Sequence, residues 1–329
     1  MTSREGVNVQ TISIVIPVYQ GELTLEPLLT EIEPLTTSQS TPSGVQFRVS
    51  EVILVHDGAI DGSDVVMSSL AAKLPFVTPI WLSRNFGQHP ATLAGVSSTN
   101  GDWVVTLDED GLHDPHDIIR LLDVAVKSDV QLVYAQPINE PPHGWVRNCF
   151  SALAKWSFKN FLGHAHIGEF NSFRLMKGEI ARGLAAYCGP DVYLDVALSW
   201  VVAGAALCPV MLRTERGRPS GYSYRKLFHH FWHLVLTSGT GPLRFVAFIG
   251  LASVLLGVAV SAYAVWGRLT GGAVPGWASL LIVVSLFSGL TLFSLGVLAE
   301  YLGIAITMAL GKPLYLITSR PNRGGPRRP

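Results

Sequence analysis

The stretch Trp103–Asp114, "WVVTLDEDGLHD", places a cluster of acidic side chains directly after a short apolar run. The run is apolar or β-branched from Trp103 to Leu107 and predicts a buried strand. The acids that follow, with no lysine or arginine among them, are Asp108, Glu109, Asp110 and Asp114. Carboxylates this close repel one another and become partly protonated unless a cation joins them. The pattern therefore indicates a site for Mg²⁺ or Mn²⁺, ions that bind carboxylate and phosphate oxygens.

Upstream of this stretch, apolar runs typical of buried strands alternate with segments of helical spacing. The runs are "ISIVIPVY" (12–19), "EVILVHDG" (51–58) and "FVTPIWLS" (76–83), and "WVVTLDED" (103–110) is the fourth. This alternation predicts an α/β domain with a Rossmann-like, mostly parallel sheet that has helices on both faces. Polar residues end each run, and ligands bind outside the carboxyl ends of such strands. One edge of the sheet is therefore the expected site.

The composition indicates a large apolar element outside this domain. The chain of 329 residues is 48% hydrophobic and 15% charged, whereas soluble domains have about 25% charged residues. Two segments, 245–266 and 277–299, carry no charged side chain. Each is long enough to cross a hydrocarbon core about 30 Å thick as a helix. Basic residues flank this pair on its outer sides, so we expect a two-helix transmembrane hairpin with both termini cytoplasmic.

The domain boundaries follow from these patterns. We expect a cytoplasmic α/β domain at 1–220, an interfacial amphipathic segment at 221–242, the hairpin at 243–300 and a cytoplasmic tail at 301–329. Basic and aromatic residues alternate in 145–163 and 222–236, which is typical of helices in the headgroup region. The three cysteines form no Cys-x-x-Cys pair, which suits a reducing compartment.

Several motifs resemble those of glycosyltransferase family 2, in the same order along the chain. They are "SIVIPVYQGE", "VHDGAIDGS", "LSRNFGQHPATLAGV" and "LDEDGLHDP". Later stretches, "GEFNSFRLM", "RTERGRPSGYSYRKL" and "AEYLG…GKPLYLI", resemble the membrane-bound polyprenyl-phosphate members, such as the undecaprenyl- and dolichol-phosphate enzymes. The resemblance implies a GT-A fold and transfer of a sugar from a nucleotide-diphosphate donor, a UDP- or GDP-sugar, to a polyprenyl phosphate.

The resemblance also implies roles for single residues. The nucleotide-sugar would contact Pro17, Tyr19, Glu22, Asp57, Arg84, Gln88 and Asp108. Asp108 and Asp110 would hold the metal, Asp110 as the more direct ligand, and Glu169 would be the catalytic base. The acceptor phosphate would meet Arg174, Arg213, Arg216 and Arg218. His56 and Ala59 depart from the family's Asp-Asp-Gly-Ser motif, and Glu169 stands where an aspartate is usual.

The chemistry of the residues agrees with this reaction. A metal and an arginine would stabilise the charge that grows on the leaving diphosphate. In-line attack by an already ionised lipid phosphate would invert the anomeric centre. Two alternatives stay open: a family 2 enzyme acting on a glycolipid or polysaccharide hydroxyl, and a non-catalytic membrane partner with a GT-A fold. Nucleic acid is not an expected partner, whereas a homo-oligomer is possible because small residues line the apolar segments.

Overall fold

The computed structural model describes residues 9–139, 171–189, 193–213, 241–270 and 276–321. Within these ranges the chain forms two compact units. The first contains the described residues up to 213 together with 313–321, and the second contains 241–312. The two basic and aromatic segments, 145–163 and 222–236, lie outside the described residues.

A central sheet organises the first unit, and nine strands belong to it among the described residues. They are β1 (Gln10–Val18), β2 (Gln39–Ser40), β3 (Gln46–His56), β4 (Val77–Leu82), β5 (Trp103–Thr106), β6 (Leu132–Pro137), β7 (Arg174–Lys177), β8 (Ala206–Val210) and β9 (Ile317–Thr318). Their spatial order is β8-β6-β7-β5-β1-β3-β4-β9, with β2 beside β3. The four predicted strands are β1, β3, β4 and β5, and they run parallel. The predicted mostly parallel α/β sheet is thus confirmed, with β2, β7 and β9 antiparallel to their neighbours.

Helices cover both faces of this sheet. They are α1 (Leu25–Ile32), α2 (Ser63–Lys73), α3 (Gln88–Ser97), α4 (Asp117–Lys127), α5 (Gly178–Tyr187) and α6 (Leu194–Val201). Ile14 and Ile16 of β1 pack in the layer that contains residues of α1, α2 and α4. Val15 packs in the opposite layer with residues of α3, α5 and α6. Because alternate side chains of a strand point to opposite faces, a strand buried on both faces must be apolar throughout.

Helix α3 lies unusually close to the sheet. A Cβ atom on Gly95 would collide with Val15 and would stand 2.8 Å from Cγ2 of Val55. A glycine is therefore required at this position for the helix to reach the sheet surface. The first turn of α3, at the other end of the helix, carries Gln88 and His89.

The C-terminal segment returns to the first unit and extends its sheet. Trp81 and Leu82 of β4 pair in antiparallel register with Thr318 and Ile317 of β9. The backbone N–H of Ser83 donates to the carbonyl of Leu316 over 2.9 Å. The region predicted as a tail therefore contains a strand, a long-range pairing that has no local sequence signal.

The second unit contains two long helices, α7 (Gly241–Leu269) and α8 (Trp277–Ala309). A stretch of α8, Leu286–Ala309, is long and apolar enough to cross a membrane, and α7 holds a shorter apolar stretch, Val246–Ala259. Helix α8 continues beyond Ala299, where the second apolar segment was predicted to end. The helices contact one another where Gly257 faces Phe287, since a Cβ on that glycine would lie 3.3 Å from the ring. The two-helix transmembrane hairpin remains a prediction.

Candidate active site

A cavity of about 170 Å³ opens at the carboxyl edge of the parallel strands. Its walls come from the ends of β1, β5 and β7, the first turn of α3 and one residue of α6. The lining residues are Pro17, Gln88, His89, Thr92, Thr106, Leu107, Asp108, Asn171, Ser172, Arg174 and Asp195. Of the residues predicted to contact donor, metal or acceptor, the structure brings Pro17, Gln88, Asp108 and Arg174 together here.

Asp108 is one of two acids in the cavity wall, and the other is Asp195. Its Oδ1 accepts a hydrogen bond from Nε2 of Gln88 over 2.7 Å, and its Oδ2 accepts one from the Ser172 hydroxyl. Burial raises the pKa of Asp108, and the hydrogen bond from Ser172 and the nearby Arg174 charge oppose that rise. Among the described residues both hydrogen bonds come from neutral donors and no lysine or arginine forms an ion pair with it. The carboxylate is therefore able to accept a cation.

Asp110 lies two residues further along the same loop and is exposed. Its Oδ1 accepts a hydrogen bond from the backbone N–H of Leu112 over 3.0 Å. Gly111, between Asp110 and Leu112, has φ +70, a left-handed conformation that turns the chain back at this point. Asp110 is not part of the cavity wall, and its predicted role as the more direct metal ligand stays a prediction.

The arrangement fits a divalent cation whose coordination shell is completed by substrate. Among the described residues, no three His, Cys, Asp or Glu side chains form a metal cage. Mg²⁺ and Mn²⁺ are commonly held by one or two carboxylates together with substrate phosphates. Asp108, half-buried and without an ion-pair partner among the described residues, supplies the donor chemistry for such an ion. Asp110 follows two residues later in the same loop and is exposed.

Glu109 has a function that the sequence did not predict. Its two carboxylate oxygens accept hydrogen bonds from the backbone N–H groups of Tyr19 and Gln20, over 3.0 and 2.8 Å. It therefore ties the loop after β1 to the loop after β5. Little in the sequence indicates this role, because the backbone N–H groups that Glu109 binds are about 90 residues away along the chain.

Asp57, predicted to lie beside the base and ribose, holds a neighbouring loop. Its oxygens accept hydrogen bonds from the backbone N–H groups of Phe86 and Gly87, over 2.7 and 2.8 Å. Burial raises the pKa of Asp57 to about 6, although these two hydrogen bonds and the Arg84 charge act in the opposite direction. The preceding His56 is buried against Trp81, with ring centroids 5.4 Å apart. Burial lowers the pKa of His56, although the charges of Asp64 and Asp61 oppose that change.

The loop from Ser83 to Gly87 carries Arg84, a predicted donor contact. Arg84 is exposed, and its guanidinium carbon lies 4.1 Å from the centroid of the Phe86 ring. The facing residue, Gly58, has φ +61, and a Cβ atom there would stand 2.6 Å from the backbone nitrogen of Asn85. Both residues of the "DG" in "VHDG" are therefore required. The Asp57 carboxylate holds this loop, and Gly58 has no side chain that would block its approach.

Glu22 links the loops after β1 and β3. Its Oε2 accepts a hydrogen bond from the backbone N–H of Gly62 over 2.9 Å, and its own N–H donates to Oδ2 of Asp61 over 3.2 Å. Pro17 lines the cavity, whereas Tyr19 and Glu22 are outside its wall. The predicted contacts of Tyr19 and Glu22 with nucleotide stay predictions.

Arg174 lines the cavity and is almost completely buried, at 3% exposure. Its Nε donates to the Thr106 hydroxyl over 3.1 Å, and its Nη1 forms an ion pair with Oδ1 of Asp195. The same oxygen accepts a hydrogen bond from the Tyr134 hydroxyl over 3.0 Å. Asp195, an acid among apolar positions of α6, is thus the counter-ion that allows the guanidinium to be buried.

Arg213, predicted to meet the acceptor phosphate, is placed away from the cavity wall. It pairs with Glu31 over 2.8 Å and with Asp114 over 3.1 Å. Its backbone N–H donates to the carbonyl of Leu112, so it fixes the chain that follows the acidic loop. Glu169, Arg216 and Arg218 lie outside the described residues, and their roles stay predictions.

Comparisons with known proteins show both similar sequences and similar folds. Residues 13–169 match the family model "Glycosyl transferase family 2". The chain is 28% identical to the bactoprenol glucosyl transferase of Shigella phage SfX, over 94% of this chain and 99% of that protein. It is 29% identical to the undecaprenyl-phosphate 4-deoxy-4-formamido-L-arabinose transferase of Sodalis glossinidius, over 94% of each.

Solved structures show the same fold. The glucosyl-3-phosphoglycerate synthase of Mycobacterium tuberculosis, crystallised with Mn²⁺, UDP-glucose and phosphoglyceric acid, matches with a TM-score of 0.50 at 18% identity, over 70% of this chain and 78% of that chain. The mannosyl-3-phosphoglycerate synthase of Rubrobacter xylanophilus also matches with a TM-score of 0.50, at 17% identity over 69% of this chain and 72% of that chain. The α/β unit is therefore GT-A-like. The chain is a glycosyltransferase with a family 2 domain, related over nearly its whole length to polyprenyl-phosphate sugar transferases.

Proposed function

We propose that this protein transfers a sugar from a UDP- or GDP-sugar to a polyprenyl phosphate at the cytoplasmic face of the cell membrane, with Mg²⁺ or Mn²⁺ and with inversion at the anomeric carbon. The observation that carries the proposal is Asp108, a half-buried carboxylate that lines the cavity and forms no ion pair among the described residues. The lipid acceptor is supported by the named activities of the two full-length relatives.

In this proposal the donor diphosphate lies at the carboxyl edge of the sheet. Asp108 and Asp110 would hold the metal, which would stabilise the negative charge on the leaving nucleotide. Gln88 orients Asp108 through its hydrogen bond, and the loop with Arg84 is held in place by Asp57. These groups are fixed before the substrate binds, so little reorganisation is needed when charge develops.

The acceptor is a phosphate monoester, which is ionised near neutral pH because its second pKa is about 6. Its attack on the sugar therefore requires less from a general base than attack by a hydroxyl would. Glu169 would remove a remaining proton or orient the phosphate. Arg174 would contribute a positive charge from the cavity wall, and Arg213, Arg216 and Arg218 would contribute charges at its approach.

The apolar helices would bring the catalytic unit to its lipid substrate. Helix α8 contains a stretch that is long and apolar enough to span a membrane. With the two-helix hairpin predicted from the sequence, both termini and the catalytic unit would lie on the cytoplasmic side, where nucleotide-sugars are available.

The test is transfer by purified full-length protein in vesicles that contain undecaprenyl phosphate. A panel of UDP- and GDP-sugars is supplied with and without Mn²⁺, and the lipid products are identified by mass spectrometry. We expect a lipid-linked sugar from at least one donor, and its loss on chelation. Absence of lipid product from every donor, with transfer to a hydroxyl acceptor, would overturn the proposed acceptor.

Two variants separate metal binding from folding. We expect Asp108→Asn and Asp110→Asn to lower kcat at least about a hundredfold, the effect of removing one electrostatic stabiliser, and to weaken Mn²⁺ binding measured by electron paramagnetic resonance. The matched control is Asp117→Asn, which removes an acid of α4 that pairs with Arg120. Equal Mn²⁺ affinity in the wild type and in Asp108→Asn would exclude Asp108 as a ligand.

A further inference from the structure

We propose that the C-terminal segment 314–318 is a positioning element for the loop 83–87 and the first turn of α3, and that it thereby sets the affinity for the nucleotide-sugar. This inference rests on the proposed function, because that function assigns Arg84 and Gln88 to the donor. We call 314–318 the return segment.

The return segment contacts the strand that leads into the loop. Thr318 and Ile317 pair with Trp81 and Leu82 at the end of β4. One step further, the N–H of Ser83 donates to the carbonyl of Leu316 over 2.9 Å. The first residue of the loop is thus fixed by a backbone hydrogen bond to the return segment, which is far from the loop in sequence.

The return segment also contacts the helix that follows the loop. The Tyr315 hydroxyl donates to Oγ of Ser97, the last residue of α3, over 3.0 Å. Leu314 and Tyr315 pack against the apolar layer that contains Leu82 of β4 and Ala91 and Leu93 of α3. A single segment therefore joins the two elements between which the loop is suspended.

The inner side of the loop is held by Asp57 through the N–H groups of Phe86 and Gly87. The return segment holds the outer side, at Ser83. Two independent restraints on a loop of five residues leave few conformations open, so less conformational entropy is lost when a ligand binds. Removing one restraint should weaken donor binding without altering the acceptor side.

A role limited to covering a sheet edge makes a different prediction. Without β9, strand β4 would be the edge strand next to β3, and an uncovered edge reduces stability and promotes association. Such a loss would lower the amount of folded protein and would leave the KM of the folded fraction unchanged for both substrates. A rise in the donor KM without a rise in the acceptor KM therefore indicates positioning, whereas unchanged KM values for both substrates indicate edge protection alone.

The experiment compares two truncations of the full-length protein. One ends after Lys312 and removes the return segment, and the matched control ends after Pro321 and keeps it. For the first we expect the donor KM to rise about tenfold, which corresponds to a few lost contacts, while the KM for undecaprenyl phosphate changes less than about twofold. The control should behave as the full-length chain. Adding the peptide 313–321 to the shorter protein should restore the donor KM in part.

A folded truncation with unchanged donor KM, or with equal rises in both KM values, would overturn the inference. If the truncation does not fold, Tyr315→Phe tests the same point, because it removes only the hydroxyl bonded to Ser97. We expect about a two- to fivefold rise in donor KM for that variant, the value of one hydrogen bond, and an unchanged donor KM would overturn the inference. Calorimetry on the same proteins measures nucleotide binding directly and so tests the inference whatever the acceptor is. If the wild type transfers no sugar to lipid, that result counts only against the proposed function.

Discussion

Among single residues, the buried Arg174 guanidinium depends most strongly on one partner. Its Nη1 pairs with Asp195, and its Nε reaches the neutral Thr106 hydroxyl. A buried ion pair adds little stability over an apolar pair, but removal of one partner leaves a charge without compensation. The pair therefore holds a guanidinium and its matching carboxylate together in the cavity wall.

Asp195→Ala should cost about 3–5 kcal/mol of the free energy of unfolding, because it leaves that guanidinium buried and uncompensated. The measurement is chemical denaturation in detergent. Asp117→Asn, which breaks the partly exposed pair with Arg120, is the control and should cost no more than about 1 kcal/mol. Equal losses in the two variants would contradict this account of Arg174.

Asp57 predicts a pH dependence of stability. Burial raises its pKa from 3.8 to about 6, so the folded state binds this proton more tightly than the unfolded state. The resulting stability is fully present below the unfolded pKa and is lost as the pH rises through the folded pKa. Between about pH 4 and pH 7 the wild type should lose about 2 kcal/mol relative to Asp57→Asn, which does not ionise.

Thermal unfolding of both proteins across this pH range provides the measurement. Glu26→Gln changes an exposed acid of α1 and serves as the control. A pH profile of Asp57→Asn that coincides with that of the control and the wild type would exclude a raised pKa at Asp57.

At the scale of elements, the site is a set of loops tied to one another by carboxylates. Glu109 joins the loops after β5 and β1, Glu22 joins those after β1 and β3, and Asp57 joins those after β3 and β4. Each tie uses backbone N–H groups, so the loop conformations depend little on the identity of the residues that donate. Acids at strand ends thus fix the loops here, and in the proposed function two further acids, Asp108 and Asp110, bind the cation.

Gly58→Ala tests how closely these loops must approach. The new Cβ would lie 2.6 Å from the backbone nitrogen of Asn85, at φ +61. We expect a loss of about 1–3 kcal/mol from backbone strain together with a raised donor KM. Gly183→Ala is the control, because open space surrounds Gly183 in α5, and there alanine should stabilise the helix by up to about 1 kcal/mol. Equal effects of the two substitutions would contradict the predicted close approach.

At the scale of the whole molecule, the chain enters the long helices from the catalytic unit and then returns to the sheet of that unit. The apolar stretch Leu286–Ala309 of α8 ends ten residues after the charge-free segment 277–299 does. The difference arises because Glu300 ends a charge-free run without ending a helix, and the residues after it are again apolar.

Leu292→Lys tests the membrane assignment of α8. Leu292 is 69% exposed in a helix that would face lipid, and a lysine near the centre of a span costs about 3 kcal/mol of insertion free energy. We expect less protein in alkali-washed membranes. Leu23→Lys, at an exposed leucine of the first unit, should leave this amount unchanged, and equal retention of both variants would argue against a span through Leu292.

The sequence by itself determined the α/β class, the four parallel strands and the edge at which polar residues gather. These features depend on local patterns: a strand buried on both faces must be apolar along its length, and the carboxyl ends of parallel strands share one edge. The position of Asp108 in the cavity wall follows from the same argument, because Asp108 comes directly after β5 and its neighbour Leu107.

Only the tertiary structure decided which acid serves which purpose. Asp108, Glu109 and Asp110 are consecutive, yet one lines the cavity, one accepts two backbone N–H groups and one is exposed. Likewise, the partner of Arg174 is Asp195 on another element, and the partner of β4 is a strand from the far end of the chain. Such pairings join residues distant in sequence, and their free energy depends on burial and geometry that a local pattern does not contain.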